Sequence, residues 1–186
     1  MSNRVERILA QIADLSTQEK TTLFERLESE GGPATGSGNG APQRFAVGDL
    51  NGPADYVIVF DGGSHGNPGP GYGSYAVTPK GAKKPGLTRL DFDRRMTNNE
   101  AEYEALIAAL EGLSGEIEAG GQKAAEKTIE IRGDSTLAIR QIEGSWKTKN
   151  PRMRALRNRA RELLADFGGH RLVIQERAES VRVLGH

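Results

Sequence analysis

The sequence contains no cysteine, carries no net charge and has no apolar run of membrane-spanning length. The absence of cysteine excludes a disulfide framework, a thiolate zinc site and a cysteine nucleophile, and it is compatible with a reducing cytosol. A membrane helix needs about 20 apolar residues, and residues 1–15 are too charged for a signal peptide. We therefore expect a cytoplasmic protein without a membrane partner. Lys plus Arg equals Asp plus Glu at 25 each, so only the local distribution of charge can indicate a nucleic-acid partner.

The 186 residues can form one main domain with an appendage. Apolar spacings of three and four predict helices over residues 4–14 and 17–28, so residues 1–30 are expected to form a helical hairpin of unknown role. Two such helices cannot bury their apolar stripes alone, which leaves self-association open. Residues 31–53 are rich in Gly, Ser and Pro and are predicted to be a linker. Residues 54–186 form the predicted main domain.

The main domain alternates strand and helix patterns, which is typical of an α/β fold. The predicted order β-β-β-α-β-α-α-β implies a mixed sheet flanked by helices, in which sites form at the carboxyl ends of strands. The last residues, 180–186, have an extended rather than a helical pattern. Strands are predicted over 56–61, 71–79, 89–96, 127–134 and 171–177, and helices over 99–113, 135–142 and 151–167.

Two of the predicted strands end on an aspartate. Residues 56–71, YVIVFDGGSHGNPGPG, change at Asp61 from strand formers to Gly, Pro and short polar residues. This glycine turn fits neither the P-loop nor the dinucleotide fingerprint, and a plain β-hairpin is the alternative. Asp134 ends a second strand in the same way. If these strands are parallel neighbours, both carboxylates lie at the same edge of the sheet.

A third carboxylate is expected from the helix that begins near residue 99. Glu102 lies on the buried stripe with Leu106 and Ala109, whereas Glu100 and Glu104 lie away from it. Three converging carboxylates would repel one another unless a cation compensates. Oxygen ligands without Cys or clustered His favour magnesium or manganese over zinc.

Each aspartate also has a purely structural interpretation. Asp134 could N-cap the helix over 135–142, and Asp61 could stabilise its own glycine turn. The structural interpretation must explain all three acids separately, whereas a metal site explains them together.

At these residues the chain resembles the type 1 ribonuclease H family, and it is most similar to the compact bacterial and archaeal branch. The family motif D-G-S/G-x-x-G-N-P-G is similar to residues 61–69, T-N-N-x-x-E to residues 97–102, and D-S to residues 134–135. The resemblance covers residues 55–177. It implies a ribonuclease H-like mixed five-stranded sheet flanked by helices.

The resemblance implies an endonuclease that hydrolyses the RNA strand of RNA/DNA hybrids and leaves 5′-phosphate and 3′-hydroxyl ends. Asp61, Glu102 and Asp134 would hold two Mg²⁺ ions, with Mn²⁺ as a substitute or the preferred ion. Recognition of the 2′-hydroxyl would fall to the glycine turn and the helix start, for which ordinary turn and cap roles remain the alternative. The implied substrate contacts are Gly62, Gly63, Ser64, Asn67, Thr97, Asn98, Asn99 and Ser135.

Residues 147–161, KTKNPRMRALRNRAR, contain seven basic residues and no acid. Arg154, Arg157 and Arg161 recur at helical spacing, so the segment is predicted to follow phosphates. In the family, the counterpart of Trp146, Lys147 and Lys149 lies along the DNA strand. A merely solvated charged face is the alternative.

The C-terminus departs from the family pattern R-x-x-N-x-x-A-D, whose final Asp is the fourth metal ligand. Leu184 occupies that position, and the chain given ends at His186. We hypothesise that His186 replaces the ligand through its imidazole or its terminal carboxylate; a terminal His without a ligand role is the alternative. The loss also leaves open a non-catalytic nucleic-acid-binding relative, or a nuclease that acts on double-stranded RNA.

Overall fold

The computed structural model describes residues 46–47, 50 and 52–185. Within these residues, six strands form one mixed sheet in the order β1-β6-β5-β2-β3-β4. The strands are β1 (Ala46–Val47), β2 (Tyr56–Ser64), β3 (Gly69–Pro79), β4 (Gly86–Met96), β5 (Thr128–Gly133) and β6 (Gly169–Ile174). The helices are α1 (Asn98–Ala119), α2 (Thr136–Glu143), α3 (Pro151–Ala165) and α4 (Arg177–Leu184), with a short 3-10 turn at Ala124–Glu126.

The order of the strands places the ends of β2 and β5 side by side. β2 pairs with β3 in antiparallel register, so the two form a hairpin. On its other side β2 runs parallel to β5, with Val59 opposite Arg132. Continuing this register by two residues brings Asp61 opposite Asp134. Asp61, just beyond the part of β2 that pairs with β5, and Asp134, directly after β5, therefore lie at the same edge of the parallel pair, as predicted.

The helices cover the two faces of the sheet unequally. α1, α2 and α3 pack on one face around fully buried Ile58, Leu106 and Ile131. On the opposite face α4 buries Leu184 against Val59 and Ala76. Large apolar side chains removed from water supply most of the stabilisation, so the first face holds the main core and the second a smaller one.

Small residues let α1 approach the sheet closely where it crosses the β2–β3 hairpin. A Cβ added to Gly62 would lie 2.3 Å from the backbone of Ala101. Opposite it, a Cβ on Gly73 would lie 3.0 Å from the Cβ of Ala105. This close packing fixes the first turns of α1 against the strand that carries Asp61.

The structure confirms the mixed sheet of five strands and adds the two-residue β1 at one edge, within the segment predicted to be a linker. β2 does not end at Asp61: it continues through Gly62 and Gly63 to Ser64, because both glycines pair with β3. Sequence reasoning assigned those glycines to a turn. Their lack of side chains instead allows the close packing on α1 and, at Gly63, on the ring of Tyr72.

The extended pattern predicted for the last residues is wrong. Residues 177–184 form α4, which buries Ser180 and Leu184 on the sheet. Their separation of four residues is helical, whereas the alternating valines Val181 and Val183 suggested a strand.

The predicted hairpin over residues 1–30 lies outside the described residues, as does most of the linker over 31–53. The division of the chain into these segments therefore stays a prediction. None of the helices in the described part of the chain is long and apolar enough to cross a membrane.

Candidate active site

Asp61 and Asp134 form the centre of the candidate site. The Asp61 carboxylate is only 7% exposed and accepts a hydrogen bond from the backbone N–H of Gly62 at 2.9 Å. Asp134 directly follows β5 and precedes the N-cap of α2. Both carboxylates therefore sit on rigid backbone, which limits how far they can move apart.

Glu102 lies in the second turn of α1 and contacts the residue that follows Asp134. The hydroxyl of Ser135 donates to Glu102 Oε2 while Ser135 N-caps α2 by accepting from the N–H of Ala138 at 3.3 Å. The alternative in which Asp134 caps this helix is therefore wrong, because its neighbour does so. Ser135 links Glu102 to the start of α2, directly beside Asp134.

The other two acids of this helix have partners elsewhere. Glu100 completes a capping box with Thr97 at the start of α1, and Glu104 forms an ion pair with Arg94. Of the three acids, Glu102 is therefore the one that contacts Ser135, the residue after Asp134, and its role as a metal ligand stays a prediction.

Nearby positive charge stabilises the ionised form of the two neighbouring aspartates. Burial, together with the neighbouring Asp61 carboxylate, raises the pKa of Asp134 above its usual range. Arg177, at the start of α4, acts in the opposite direction: its guanidinium lies 3.2 Å from Asp134 Oδ2 and 4.0 Å from Asp61 Oδ2. A single cation therefore bridges the two aspartates.

Sequence reasoning assigned no role to Arg177, although it is the first residue of the C-terminal family motif. That motif was the available signal. The side chain is otherwise 70% exposed, so the guanidinium can also reach a ligand that enters from solvent.

The donor set fits a hard divalent ion in its chemistry. Its ligands are carboxylate oxygens, and the two aspartates are close enough to perturb each other. As the side chains lie, however, no group of three or more His, Asp or Glu in residues 46–47, 50 and 52–185 is arranged to hold a metal. Arg177 occupies the place between the aspartates, and Ser135 binds Glu102.

The residues expected to contact the 2′-hydroxyl form one hydrogen-bonded cluster. Asn98 Oδ1 accepts from the backbone N–H of Ser64 at 2.9 Å and lies 2.8 Å from its hydroxyl. The backbone N–H of Asn98 donates to Asn67 Oδ1 at 3.2 Å. The cluster joins the β2–β3 turn to the start of α1, where Asn99 occupies the first turn. Thr97, rather than either asparagine, is the N-cap.

The predicted basic segment forms the α2–α3 loop and most of α3. In this loop Trp146 is partly buried against the main core, and Thr148 is buried between exposed Lys147 and Lys149. The two lysines therefore project from the surface on either side of an anchored residue.

A surface cleft that sequence reasoning missed lies beside this segment. It has a volume of about 570 Å³ and lies between the β2–β3 turn, the end of β4 and the starts of α1 and α3. Arg95 donates to the carbonyl of Pro68 at 2.8 Å, and the side chain of Arg152 is 85% exposed. In the sequence, the pair Arg94–Arg95 shortly before the T-N-N motif could have indicated a basic surface at this place. The cleft is lined by Pro68, Arg95, Met96, Thr97, Glu100, Asn150, Pro151 and Arg152.

The position of the fourth family ligand is apolar in this chain. Leu184 is fully buried in the small core with Val59 and Ala76. Beyond it, the carbonyl of Leu184 accepts from Arg89 at 3.4 Å, and Gly185 ends α4 in a left-handed conformation. His186 lies outside the described residues, so its proposed ligand role stays a prediction.

Comparison with known proteins places this arrangement in a family. The mixed sheet, with Asp61 and Asp134 brought together by the parallel strands β2 and β5, defines an α/β protein with a carboxylate site at one edge of the parallel pair. The family model for RNase H then matches residues 53–178. The chain belongs to the RNase H family, whose members depend on divalent metal ions, generally Mg²⁺.

Curated relatives and solved structures agree with this assignment. The chain is 41% identical to ribonuclease HI of Halobacterium salinarum over 126 residues, which are 66% of this chain but only 57% of that protein. The crystal structure of RNase H1 from the same archaeon matches with a TM-score of 0.57 and 38% identity, over 69% of this chain and 90% of that one. LC11-RNase H1 in complex with an RNA/DNA hybrid matches with a TM-score of 0.57 and 30% identity, over 69% and 90% of the two chains.

Proposed function

We propose that this protein is a metal-dependent endonuclease that hydrolyses the RNA strand of RNA/DNA hybrids. The observation that carries the proposal is the proximity of Asp61 on β2 and Asp134 directly after β5, both of which pair with the Arg177 guanidinium. Glu102 lies beside them, bonded to Ser135, the neighbour of Asp134. Membership of the RNase H family supports it, as does the hybrid bound to LC11-RNase H1. A hybrid substrate lies with the nucleic acids of the cell, so we also propose a cytoplasmic location.

The three carboxylates would hold two Mg²⁺ ions, or Mn²⁺ in their place. Ions bound there would activate water for in-line attack and stabilise the leaving 3′ oxygen, leaving 5′-phosphate and 3′-hydroxyl ends. Asp61 would supply its ligand from within β2 and Asp134 from the residue after β5, so little backbone reorganisation is needed for either. Arg177 already compensates their charge and would turn from the carboxylates to the phosphate.

The Ser64–Asn67–Asn98 cluster would select RNA at the scissile strand. Because Asn98 accepts from Ser64 through Oδ1, its amide NH₂ is the side that can donate to a 2′-oxygen. Gly62 and Gly63 keep the strand beside the cluster free of side chains, and Asn99 follows Asn98 in the first turn of α1. Ser135 would contact the substrate beside Glu102, to which it is bonded. The DNA strand would run along Trp146, Lys147 and Lys149 and place a phosphate in the cleft beside Arg95 and Arg152.

The fourth ligand position supports a specific variant of this site. Leu184 removes the family carboxylate, and we propose that the imidazole of His186 supplies a ligand in its place. A histidine ligand would remove a negative charge and shift the preference toward Mn²⁺. Deleting His186 tests this: a lower rate and an altered metal dependence are expected, and unchanged cleavage in both metals would refute the replacement.

Buried Leu184 also favours a second candidate, a relative that binds nucleic acid without cutting it. Cleavage of matched RNA/DNA, RNA/RNA and DNA/DNA duplexes in Mg²⁺ and in Mn²⁺ decides between them. We expect cleavage of the RNA strand of the hybrid only, and its loss in Asp61→Asn with hybrid binding retained. If the wild-type protein binds the hybrid but cuts none of the duplexes in either metal, the binding-module function replaces the nuclease. Cleavage of the RNA/RNA duplex would show that the protein is a nuclease that acts on double-stranded RNA.

A further inference from the structure

The basic face of α3 does not simply point outward toward a nucleic acid. Three of its arginines, at the spacing that predicted a phosphate-tracking surface, contact the α2–α3 loop (residues 144–150) or the last turn of α2 directly before it. Arg161 Nε donates to the carbonyl of Ile142 at 2.6 Å, at the C-terminal end of α2. Arg154 donates to the carbonyl of Lys149 at 3.2 Å, at the far end of the loop.

The middle of the loop has its own contact. Arg157 reaches the hydroxyl of Thr148 at 3.4 Å, and Thr148 is the buried residue between the two exposed lysines. The three arginines thus reach the beginning, the middle and the end of one short segment. Carbonyls at the C-terminal end of a helix lack intrahelical partners, which makes a guanidinium donor effective at Ile142.

The start of the loop is shaped around Arg161. Gly144 caps α2 in a left-handed conformation with φ 99°, and a Cβ at this position would lie 2.7 Å from the Arg161 guanidinium. The N–H groups of Gly144 and Trp146 both donate to the carbonyl of Arg140, at 3.0 and 3.2 Å. The loop therefore turns tightly over the arginine before it reaches Trp146.

We propose that Arg161, with Arg157 and Arg154, positions the loop that presents Trp146, Lys147 and Lys149 to the substrate. These arginines are positioning residues: they act through the loop rather than through contacts of their own with phosphate. The substrate part of this inference rests on the proposed function. The part concerning the loop does not, because it is a property of the free protein.

Trp146 makes the loop observable, since it is the only tryptophan in the chain. In the free protein, Arg161→Met should shift Trp146 emission to longer wavelength and increase its quenching by acrylamide. Arg159→Met, on the same helix, removes the same charge from a side chain that pairs with Glu111 and Glu162 instead. This control should leave Trp146 emission and quenching at wild-type values.

Hybrid cleavage gives the second measurement. Arg161→Met should raise KM for the hybrid about tenfold, the cost of losing a charged hydrogen bond, with kcat unchanged. Thr148→Val removes the hydroxyl that Arg157 reaches and keeps every charge. It should raise KM roughly two- to threefold, because the Arg157 contact, at 3.4 Å, is longer and weaker than that of Arg161 at 2.6 Å, and it should leave the salt dependence of binding unaltered.

The outcomes separate this inference from the proposed function. If the wild-type protein cuts no hybrid, the proposed function fails, and the Trp146 comparison still decides whether Arg161 positions the loop. Wild-type Trp146 emission and quenching in both Arg161→Met and Thr148→Val would overturn the inference. The inference would also be overturned if Arg161→Met and Arg159→Met changed the salt dependence of hybrid binding equally and neither changed Trp146 emission or quenching. Both arginines would then act only by contacting phosphates. Thr148→Val removes a single hydroxyl, so it can be measured even if Arg161→Met does not fold. In that case, a shift of Trp146 emission in Thr148→Val supports the inference, and wild-type emission and quenching in this variant alone overturn it.

Discussion

Gly62→Ala tests whether the close approach of α1 to β2 is what brings Glu102 to the aspartates. The added Cβ would lie 2.3 Å from the carbonyl carbon of Ala101 and 2.4 Å from the backbone nitrogen of Glu102, whereas ordinary contact begins at 3.4 Å. The start of α1 must therefore move by about 1 Å. Overpacking of this kind costs roughly 1–3 kcal/mol, and the upper half of that range applies because backbone atoms cannot rotate away.

This cost should lower the Tm by about 5–10 °C, since 1 kcal/mol corresponds to about 2–4 °C in a chain of this size. A displacement of about 1 Å in a catalytic group can reduce the rate about 100-fold, so kcat for hybrid cleavage should fall by a similar factor. Thermal unfolding by circular dichroism and steady-state cleavage measure the two effects.

Gly115→Ala, on α1 itself, is the matched control. A Cβ there meets no atom within 4 Å, so replacing a helical glycine should stabilise the protein by about 0.5–1 kcal/mol and leave cleavage unchanged. The reasoning is refuted if Gly62→Ala keeps both the wild-type Tm and the wild-type rate. A lower Tm with full activity would show that the packing matters for stability but not for the placement of Glu102.

Three further predictions concern charge. Asp134 has a raised pKa, so its ionisation destabilises the fold increasingly as the pH rises above 3.8. Asp134→Asn should therefore abolish cleavage but raise the Tm of chelator-treated protein at pH 7, and it should not raise the Tm at pH 3. An unchanged Tm at pH 7 would contradict this prediction. Burial raises the pKa of Glu130, but hydrogen bonds from Arg171 and Arg132 outweigh it and lower the pKa below 4.5. The stability that ionised Glu130 contributes is complete above pH 4.5 and is lost as the pH falls through the lowered pKa. Glu130→Gln should therefore reduce the free energy of unfolding by about 3 kcal/mol at pH 7 and make the Tm fall less steeply at acid pH. An equally steep fall in the variant and the wild-type protein would argue against this prediction. Lys147→Ala and Lys149→Ala should each reduce the slope of log K against log salt by about 1 without changing kcat, whereas an unchanged slope would show that the lysine contacts no phosphate.

The candidate metal ligands could be predicted from the sequence because the relevant signals are local. Asp61 and Asp134 each follow a run of strand formers, and Glu102 has helical spacing to Leu106, so the chain itself places each acid on an element. The strand order then decides their proximity, and a mixed sheet of this pattern has few arrangements. The helix over 177–184 was mistaken for extended chain because alternating valines mask a period that becomes clear only when Ser180 and Leu184 are buried on the sheet.

The sequence alone determined the α/β class, the three acidic positions and the basic segment, since these depend on residue type and spacing within single elements. Only the tertiary structure decided which partner each charge has. Arg177 bridges two aspartates that lie 116 and 43 residues before it in the chain, and Arg161 turns toward the carbonyl of Ile142. The physical reason is that hydrogen bonds and ion pairs act over a few ångströms in space. Sequence distance does not specify which groups come that close until the strands and helices have packed.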